Sequence, residues 1–159
     1  MIKDAYFAGG CFWCLTPGYV NTHGVLEVKA GYCGGDIANP SYELVKSQQT
    51  NHRETIRVTY DDELVSYLEL LNIFLDSVDV YDEGGQYIDR GHSYTLAIYY
   101  KEDNELNIIN NRLSEYKEKI YVSVEPYTNF YLAEEYHQDY YLKHPKEFEE
   151  ELIKSGRKQ

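Results

Sequence analysis

The sequence predicts an α/β (α+β) fold: a two-layer mixed sheet with a ferredoxin-like split-βαβ core and a C-terminal helical extension. Residues 54–60 alternate their side chains between two faces, as a strand does, whereas residues 64–78 place leucines at the 3.6-residue period of a helix. Segments of these two kinds follow one another in the order β-α-β-β-α-β, which is the split-βαβ pattern. The chain has 159 residues, enough for one ordinary core, so residues 1–159 are expected to form a single domain.

Glycine and proline set the ends of most elements. Gly9-Gly10 ends the first strand in a tight turn, a helix is expected to start at Cys11, and Pro17-Gly18 interrupts it. The first strand is expected over residues 5–8, and further strands are expected over residues 25–32, 54–60, 93–100 and 122–125. Further helices are expected over residues 41–49, 64–78, 104–119, 133–142 and 145–153. Residues 79–92 form a polar, glycine-bearing loop, and loops of that length in compact domains are usually functional.

Charge and cysteine usage restrict the partners and the compartment. The chain carries 15 Lys+Arg against 27 Asp+Glu, a net charge of −12, which argues against nucleic acid or an anionic membrane as a partner. No stretch approaches the ~18 apolar residues of a membrane span, and the N-terminus lacks the basic and apolar regions of a signal peptide. Three cysteines are too few for a disulfide framework, so a reducing cytoplasm is expected.

Cys11 is the candidate for reactivity. It follows a glycine turn at the start of a predicted helix, where unpaired backbone N–H groups would stabilise a thiolate and lower the pKa of the thiol. A buried structural cysteine is the alternative. Against that alternative, Trp13, the only tryptophan, and a second thiol, Cys14, lie within three residues of Cys11.

Several short motifs surround this cysteine and recur along the chain. Together they closely resemble peptide methionine sulfoxide reductase, type A, and they follow the order of that family over roughly residues 5–145. The segments that carry the resemblance are G-G-C-F-W-C at 9–14, G-Y-C-G-G at 31–35, N-P-S-Y at 39–42, H-R-E at 52–54, V-T-Y-D at 58–61, the Gln86…Asp89…Gly91 loop, Tyr94 with A-I-Y at 97–99, and A-E-E-Y-H-Q at 133–138. The first string is specific, and the others gain weight from their order.

The resemblance implies an enzyme that reduces the S-epimer of methionine sulfoxide, free or within proteins, as a repair of oxidative damage. It implies no cofactor and no metal, and a reductant such as thioredoxin or a glutaredoxin–glutathione system. By this resemblance, Cys11 is the nucleophile and Glu54 is the general acid. Phe12 and Trp13 form the walls of a pocket for the methyl group of the substrate. The sulfoxide oxygen or a water is bound by Tyr32, Asp89 and Tyr94.

The chemistry of the residues agrees with those roles. A sulfoxide sulfur is a poor electrophile until its oxygen is protonated or strongly hydrogen-bonded, so the site needs donors that face this oxygen. Glu54 can act as an acid only if a desolvated setting raises its pKa, and its strand face, shared with Ile56 and Val58, suits that. Without the resemblance, Glu54 would more often be interpreted as a solvated residue at a strand end. Tyr32 and Tyr94 would likewise more often be interpreted as tyrosines of the core or its rim.

The sequence departs from the family pattern in several places. An acidic residue expected soon after C-F-W is absent from Leu15-Thr16-Pro17, and the usual Q-G-N-D loop reads Gln86-Tyr87-Ile88-Asp89. The C-terminal G-Y-C segment has no counterpart, and no cysteine follows Cys33. A sulfenic acid on Cys11 could therefore be resolved by Cys14, at a separation within disulfide range on a helix, or by Cys33. The preferred interpretation of the sequence is a single essential cysteine that is reduced by external thiols.

Three other interpretations remain open from the sequence. A thioredoxin-like disulfide oxidoreductase would use the Cys11-x-x-Cys14 pair. A non-catalytic zinc-binding module would use these two cysteines with Cys33 and His52, although a second paired knuckle is missing. A cysteine hydrolase would combine Cys11 with His52 and Asp89, although nothing marks an acyl pocket.

Overall fold

The computed structural model describes residues 1–154, which contain eight strands and seven helices. The strands are β1 (Ile2–Gly9), β2 (Val25–Cys33), β3 (Arg53–Asp61), β4 (Gly85–Gln86), β5 (Asp89–Arg90), β6 (Leu96–Tyr100), β7 (Val122–Pro126) and β8 (Phe130–Leu132). The helices are α1 (Phe12–Leu15), α2 (Pro17–Val20), α3 (Tyr42–Lys46), α4 (Tyr67–Ser77), α5 (Asp103–Leu113), α6 (Tyr140–Lys143) and α7 (Pro145–Lys154). The predicted domain extends to Gln159, so its last five residues lie outside this description.

The sheet has the predicted split-βαβ arrangement. Six strands lie in the order β7-β6-β1-β3-β2-β8, with β3 between β1 and β2 and antiparallel to both. Strand β6 pairs antiparallel with the other side of β1, which completes the ferredoxin-like order. Strand β7 pairs parallel with β6 and makes the sheet mixed. The predicted fold class is therefore confirmed.

Apolar side chains from one sheet face and five helices form the main core. Helices α1 to α5 each contribute to a cluster that includes Phe7 and Ile56 from the sheet. The opposite sheet face carries a smaller cluster made by Tyr6, Ala8, Cys33, Ala97 and Tyr99. In the described part of the chain, no helix has the length and apolar character needed to cross a bilayer.

The pairing of β2 with β3 decides which residues share the helix-covered face. Tyr32 lies opposite Glu54, and Cys33 lies opposite Arg53. Because successive side chains point to opposite faces of a strand, Tyr32 and Glu54 face the helices, whereas Cys33 and Arg53 face the other side. This register places the tyrosine with the glutamate and separates Cys33 from both.

Helix α4 starts three residues later than the leucine periodicity predicts. Ser66 caps it, and its Oγ accepts the Glu69 N–H at 3.1 Å, so the chain before Ser66 is not helical. Leu64 and Leu68 are exposed, and the predicted stripe is wrong at these two positions. The buried face of α4 consists of Tyr67, Leu70, Leu71, Phe74 and Leu75.

The C-terminal third departs further from prediction. Helix α5 ends at Leu113 and not at residue 119, and the helix expected over 133–142 is replaced by a 3-10 turn at Glu135–His137 and the single turn of α6. Strand β8 was not predicted, because three residues are too few to show an alternating pattern. It pairs with the outer edge of β2, where Gly31 lies opposite Leu132 and against Phe130.

Gly31→Ala should destabilise the protein by about 1–3 kcal/mol, the usual cost of overpacking. A methyl group at Gly31 would overlap the Phe130 ring and lie 2.5 Å from the Tyr131 carbonyl oxygen. Gly18→Ala is the matched control, because its methyl group would lie 3.5 Å from the nearest side-chain atom and it occupies a helix. Denaturant unfolding should separate the two variants, and equal midpoints would contradict this account of β8.

Candidate active site

Cys11 lies in the predicted turn between β1 and α1. Gly10 has φ +84°, a left-handed conformation that glycine adopts without strain, and it turns the chain so that Cys11 caps α1. The Cys14 N–H donates to the Cys11 carbonyl oxygen at 3.1 Å, which folds Cys14 back towards Cys11. Cys11 is buried, Cys14 is half-buried, and neither forms a disulfide. The turn therefore holds two thiols side by side.

Glu54 is buried beneath this turn. Glu54 is only 2% exposed, and its Oε1 accepts the Phe12 N–H at 3.2 Å. Burial, together with the nearby charge of Asp89, raises the pKa of Glu54 to about 8, despite hydrogen bonds from Phe12 and Tyr94 that lower it. The carboxyl is therefore neutral near pH 7. The desolvated setting expected for an acid is present, and the solvated strand-end alternative is wrong.

The pKa of Cys11 departs from the expected direction. The hydrogen bond with Cys14, burial, and the negative charges of Cys14, Glu54 and Asp89 raise the pKa of the Cys11 thiol well above its usual value. Helix α1 has only four residues, too few to build the dipole on which the expectation of a thiolate relied. The prediction of a lowered pKa is wrong, and the nucleophile candidate is a neutral thiol in this arrangement.

Two tyrosines and an aspartate from separate elements complete the polar part of the site. Tyr94 is 7% exposed, and its hydroxyl hydrogen-bonds with the Glu54 carboxyl and with the Tyr42 hydroxyl. Burial, followed by the charge of Glu54, raises the pKa of Tyr94, and burial likewise raises the pKa of Tyr42. Asp89 lies close enough to influence the pKa of Cys11, Glu54 and both tyrosines. The structure thus brings the predicted Tyr94 and Asp89 together with Cys11 and Glu54.

The loop that carries Asp89 is held by amide side chains. Gln86 is fully buried, its Oε1 accepts the Asp79 N–H at 2.8 Å, and its Nε2 donates to the carbonyl oxygens of Asp79 and Gly85. Gln48 joins the same loop to α3, since its amide bonds both the backbone N–H and the hydroxyl of Ser93. The altered neighbours of Asp89, Tyr87 and Ile88, therefore lie in a loop that is held by Gln86, which the string retains, and by Gln48 from outside the string.

Tyr32 is fully buried next to Phe12, but its proton already has an acceptor. Its hydroxyl donates to Glu134 Oε1 at 2.9 Å, and Glu134 Oε2 accepts the Tyr42 N–H at 3.0 Å. Partial burial raises the pKa of Glu134, but the hydrogen bonds from Tyr42, its own backbone and Tyr32 hold it below its usual value. Glu134 is therefore a charged acceptor, and Tyr32 has no second proton for a sulfoxide oxygen.

Aromatic rings surround Trp13. Its Nε1–H donates to His137 Nδ1 at 3.2 Å, and Tyr140 stacks on the indole at a centroid distance of 4.0 Å. Phe12 is 1% exposed and packs against His137 and Tyr32 at 5.4 and 5.9 Å. Both predicted pocket residues thus lie beside Cys11, within a cluster that the C-terminal segment closes.

Cys33 and His52 lie away from this site. Cys33 is fully buried in the cluster on the other sheet face, where burial raises its pKa. His52 uses both ring nitrogens in structural hydrogen bonds, with the Gly35 N–H at 3.0 Å and the Ile37 carbonyl oxygen at 2.7 Å. Neither the zinc-module nor the hydrolase interpretation has the geometry it needs, and no group of three His, Cys, Asp or Glu side chains within residues 1–154 is arranged to hold a metal.

Four residues with no role predicted from the sequence contact the predicted site residues. These residues are Tyr42, Glu134, His137 and Tyr140. Glu134 and His137 belong to the A-E-E-Y-H-Q string, which contributed to the resemblance but carried no assigned chemistry. Only the position of that string in the family order could have indicated that it lies near Cys11.

Two adjacent thiols over a neutral carboxylic acid define the class of the protein as a cysteine-dependent oxidoreductase. The comparisons with known proteins identify the family. The family described as Peptide methionine sulfoxide reductase matches residues 3–159. The peptide methionine sulfoxide reductase MsrA of Bacillus licheniformis is 42% identical over 159 aligned residues, which cover 96% of this chain and 88% of that protein. MsrA 2 of Staphylococcus aureus is 38% identical over 165 aligned residues, which cover 99% of this chain and 93% of that protein.

Solved structures agree with the sequence relatives. Methionine sulfoxide reductase A of Corynebacterium diphtheriae superposes with a TM-score of 0.82 at 27% identity, covering 91% of this chain and 76% of that one. The reduced form of Mxr1 from Saccharomyces cerevisiae gives a TM-score of 0.79 at 27% identity, with 91% and 87% covered. The chain belongs to the peptide methionine sulfoxide reductase family, and it is an oxidoreductase that reduces the S-oxide of methionine.

The burial of Glu54 should make stability depend on pH. The carboxyl ionises near 4.5 in the unfolded chain and near 8 in the folded protein, so the folded state loses stability as pH rises through this interval. Glu54→Gln removes that loss. The free energy of unfolding of the wild type should therefore fall relative to Glu54→Gln between these pH values, at about 1.4 kcal/mol per unit of pKa difference.

Denaturant titrations across the same pH range measure this difference. The exposed Glu118→Gln substitution provides a control for the loss of one carboxylate, and it should follow the wild type. If the free energies of unfolding of the wild type and Glu54→Gln differ by a constant amount over the whole range, the pKa of Glu54 is the same in the folded and unfolded states, which would contradict this prediction.

Proposed function

We propose that Cys11 is the nucleophile that reduces (S)-methionine sulfoxide and that Glu54 is the acid that activates the substrate. The observation that carries this proposal is the neutral Glu54 carboxyl, with its pKa raised to about 8, directly beneath the Cys11 turn. A neutral acid can donate a proton to a sulfoxide oxygen, and an ionised one cannot. The pairing of a buried thiol with a buried acid is the arrangement that this reaction needs.

The first step transfers one oxygen atom from the substrate to the cysteine. Glu54 protonates the sulfoxide oxygen as the Cys11 sulfur attacks the sulfoxide sulfur, and the thiol proton of Cys11 returns to the carboxylate. The attack forms a bond between the two sulfurs. The sulfur–oxygen bond of the substrate then breaks, the hydroxyl moves to the Cys11 sulfur, and the sulfur–sulfur bond breaks with its electron pair left on the methionine sulfur. Methionine leaves, and Cys11 becomes a sulfenic acid, so the substrate is reduced by two electrons and the cysteine is oxidised by two.

The remaining residues bind the substrate. Tyr94 is the phenol best placed to donate to the sulfoxide oxygen, because its hydrogen bond is to the neutral Glu54 carboxyl and the substrate can replace that partner, whereas the partner of Tyr32 is a charged carboxylate. Asp89 orients a water or the same oxygen from the loop side. Tyr32 acts by holding Glu134 and packing behind Phe12, because its own proton is engaged. Phe12 and Trp13 provide the apolar wall for the methyl group of the substrate.

Cys14 resolves the sulfenic acid. Its thiol attacks the Cys11 sulfur, the sulfur–oxygen bond breaks, water leaves, and a Cys11–Cys14 disulfide forms. The hydrogen bond between the two side chains supports this role, and the location of Cys33 on the other sheet face argues against its use. This differs from the sequence-based preference for external reduction of a single cysteine. It also leaves a half-buried sulfur, Cys14, at which an outside thiol can attack.

A dithiol protein of the thioredoxin type is the proposed reductant of that disulfide. It supplies two electrons and two protons and ends as a disulfide itself. Yeast Mxr1 has been solved in complex with Trx2, which makes thioredoxin the first reductant to test, ahead of glutaredoxin with glutathione. The dependence on such reductants agrees with a reducing cytoplasm as the place of action, with residues 1–159 acting as one domain.

The substrate includes methionine sulfoxide in proteins as well as the free amino acid. A surface cleft of about 680 Å³ borders Glu134, and its lining includes Ser41, Tyr131 and Leu132. Glu134 connects this cleft to Tyr32 and Tyr42, so residues that flank an oxidised methionine have room beside the site. This favours repair of oxidised proteins as the biological role.

Three cysteine substitutions test the thiol chemistry. Cys11→Ser should abolish methionine formation with dithiothreitol, because the attacking sulfur is gone. Cys14→Ser should still form about one equivalent of methionine per enzyme in a single turnover, but it should lose turnover with thioredoxin. Cys33→Ser is the matched control and should keep both activities. Chromatography that resolves the two epimers of the remaining methionine sulfoxide and quantifies the methionine formed measures both activities.

Mass spectrometry without reductant checks the resolving step. After addition of substrate, the wild type should contain a Cys11–Cys14 disulfide, and Cys14→Ser should contain a sulfenic acid on Cys11. A Cys11–Cys33 disulfide, or a sulfenic acid that persists in the wild type, would overturn the role of Cys14. Retained turnover in Cys11→Ser would overturn the whole mechanism.

Glu54→Gln tests the acid. The rate of the first reductive step should fall by about 10²–10⁴-fold, the range for loss of a general acid, while the Cys11 thiol remains titratable. Single-turnover formation of methionine measures that step directly, and Glu118→Gln again provides the control. An unchanged rate would remove Glu54 from the mechanism and leave Tyr94 as the remaining donor.

A further inference from the structure

The segment that follows β8 is fastened to the sheet by the Gln138 side chain and the Ala133 backbone. The Gln138 Oε1 accepts the Ala30 N–H at 2.9 Å, and its Nε2 donates to the carbonyl oxygens of Ala30 and Ala133 at 2.9 and 3.0 Å. The Ala133 N–H donates to the same Ala30 carbonyl oxygen at 2.9 Å. The turn over residues 133–138 is therefore a fixed part of the scaffold, anchored one strand away from Glu54.

His137 reaches from this anchored turn to Trp13. The indole has one polar atom, and its N–H donates to His137 Nδ1 at 3.2 Å while the two rings lie at 5.5 Å with 24° between their planes. The imidazole is itself confined, with Tyr42 at 4.4 Å and Phe12 at 5.4 Å. An indole that is held at its only donor and along its face has its orientation fixed.

The hydrogen bond defines the chemical state of the imidazole. Nδ1 accepts, so the ring is neutral and carries its proton on Nε2. Burial lowers the pKa of His137, although the charges of Glu134 on its own turn and of Glu43 on α3 oppose this. The phenols of Tyr42 and Tyr136 also face the ring, and burial raises the pKa of Tyr42. Protonation would place an N–H opposite the indole N–H and break the bond.

We propose that His137 is a positioning residue, which holds the Trp13 indole as the wall of the methyl pocket and releases it when the imidazole is protonated. The proposal rests on the function proposed above, because it takes Trp13 to be that wall. The proposal goes beyond that function because it assigns the orientation of the Trp13 indole to His137, an imidazole that does not take part in the reaction. Acid should then weaken the binding of substrate more than it slows the chemical step.

Intrinsic fluorescence gives a direct readout of this contact, because Trp13 is the only tryptophan in the chain. The emission of the wild type should titrate with a single midpoint below the usual value for histidine. The titration should disappear in His137→Phe, which keeps an aromatic ring without an acceptor, and it should also disappear in His137→Gln. A His23→Gln control, in an exposed loop, should titrate as the wild type does.

Single-turnover rates measured against the concentration of a blocked (S)-methionine sulfoxide separate binding from chemistry. His137→Phe should raise the half-saturating concentration by about tenfold, the loss expected for one hydrogen bond, with little change in the limiting rate. His137→Gln offers an amide oxygen as acceptor and should recover most of that loss. In the wild type, the half-saturating concentration should rise on acidification along the fluorescence titration.

Trp13→Phe distinguishes failure of this proposal from failure of the proposed function. If Trp13→Phe binds substrate as the wild type does, Trp13 is not the pocket wall and the function assigned to it fails. If Trp13→Phe weakens binding and His137→Phe does not, the positioning role of His137 is overturned. Should His137→Phe not fold, a flat fluorescence profile of the wild type between neutral and mildly acidic pH would overturn the role by itself.

Discussion

Glu54 lies where β3, the Cys11 turn and the loop of Asp89 meet, and its carboxyl is kept out of water there. A buried carboxylate without a cationic partner is costly, so the group keeps its proton. The same desolvation acts on the groups around it, and it contributes to the raised pKa values of Cys11, Tyr94 and Tyr42. The site is consequently rich in protons, which suits a neutral, strongly dipolar substrate such as a sulfoxide.

A neutral Cys11 has a consequence for reactivity. A thiol is a weaker nucleophile than a thiolate, so oxidants in solution meet the less reactive form of a residue that is only 9% exposed. The proton leaves Cys11 only when a base is nearby, and Glu54 becomes that base once it has given its own proton to the substrate. Activation of the nucleophile is thereby coupled to activation of the electrophile, with one buried carboxyl serving both.

The sequence was sufficient for the parts that depend on local pattern. The alternation over residues 54–60 placed Glu54 on the core face with Ile56 and Val58, and the strand order followed from the sequence of elements. The patterns could not show the direction of the Cys11 pKa, which depends on the side chains of Cys14, Glu54 and Asp89 in three dimensions. They also missed β8, which is formed by pairing with β2 and not by its own pattern. The contacts of Glu134 and His137 were missed for the same reason, because they span about a hundred residues of sequence.

The separation of Cys33 from the site follows from strand geometry alone. It is adjacent in sequence to Tyr32, and a displacement of one residue along a strand transfers a side chain to the opposite face. Tyr32 therefore packs behind Phe12, whereas Cys33 packs against Tyr99 beyond the sheet, beside Arg53. To reach Cys11 it would have to pass through the sheet, which requires β2 to leave β3. A helical turn instead returns Cys14 to Cys11 within three residues, so electrons can leave the buried sulfur without any strand separating.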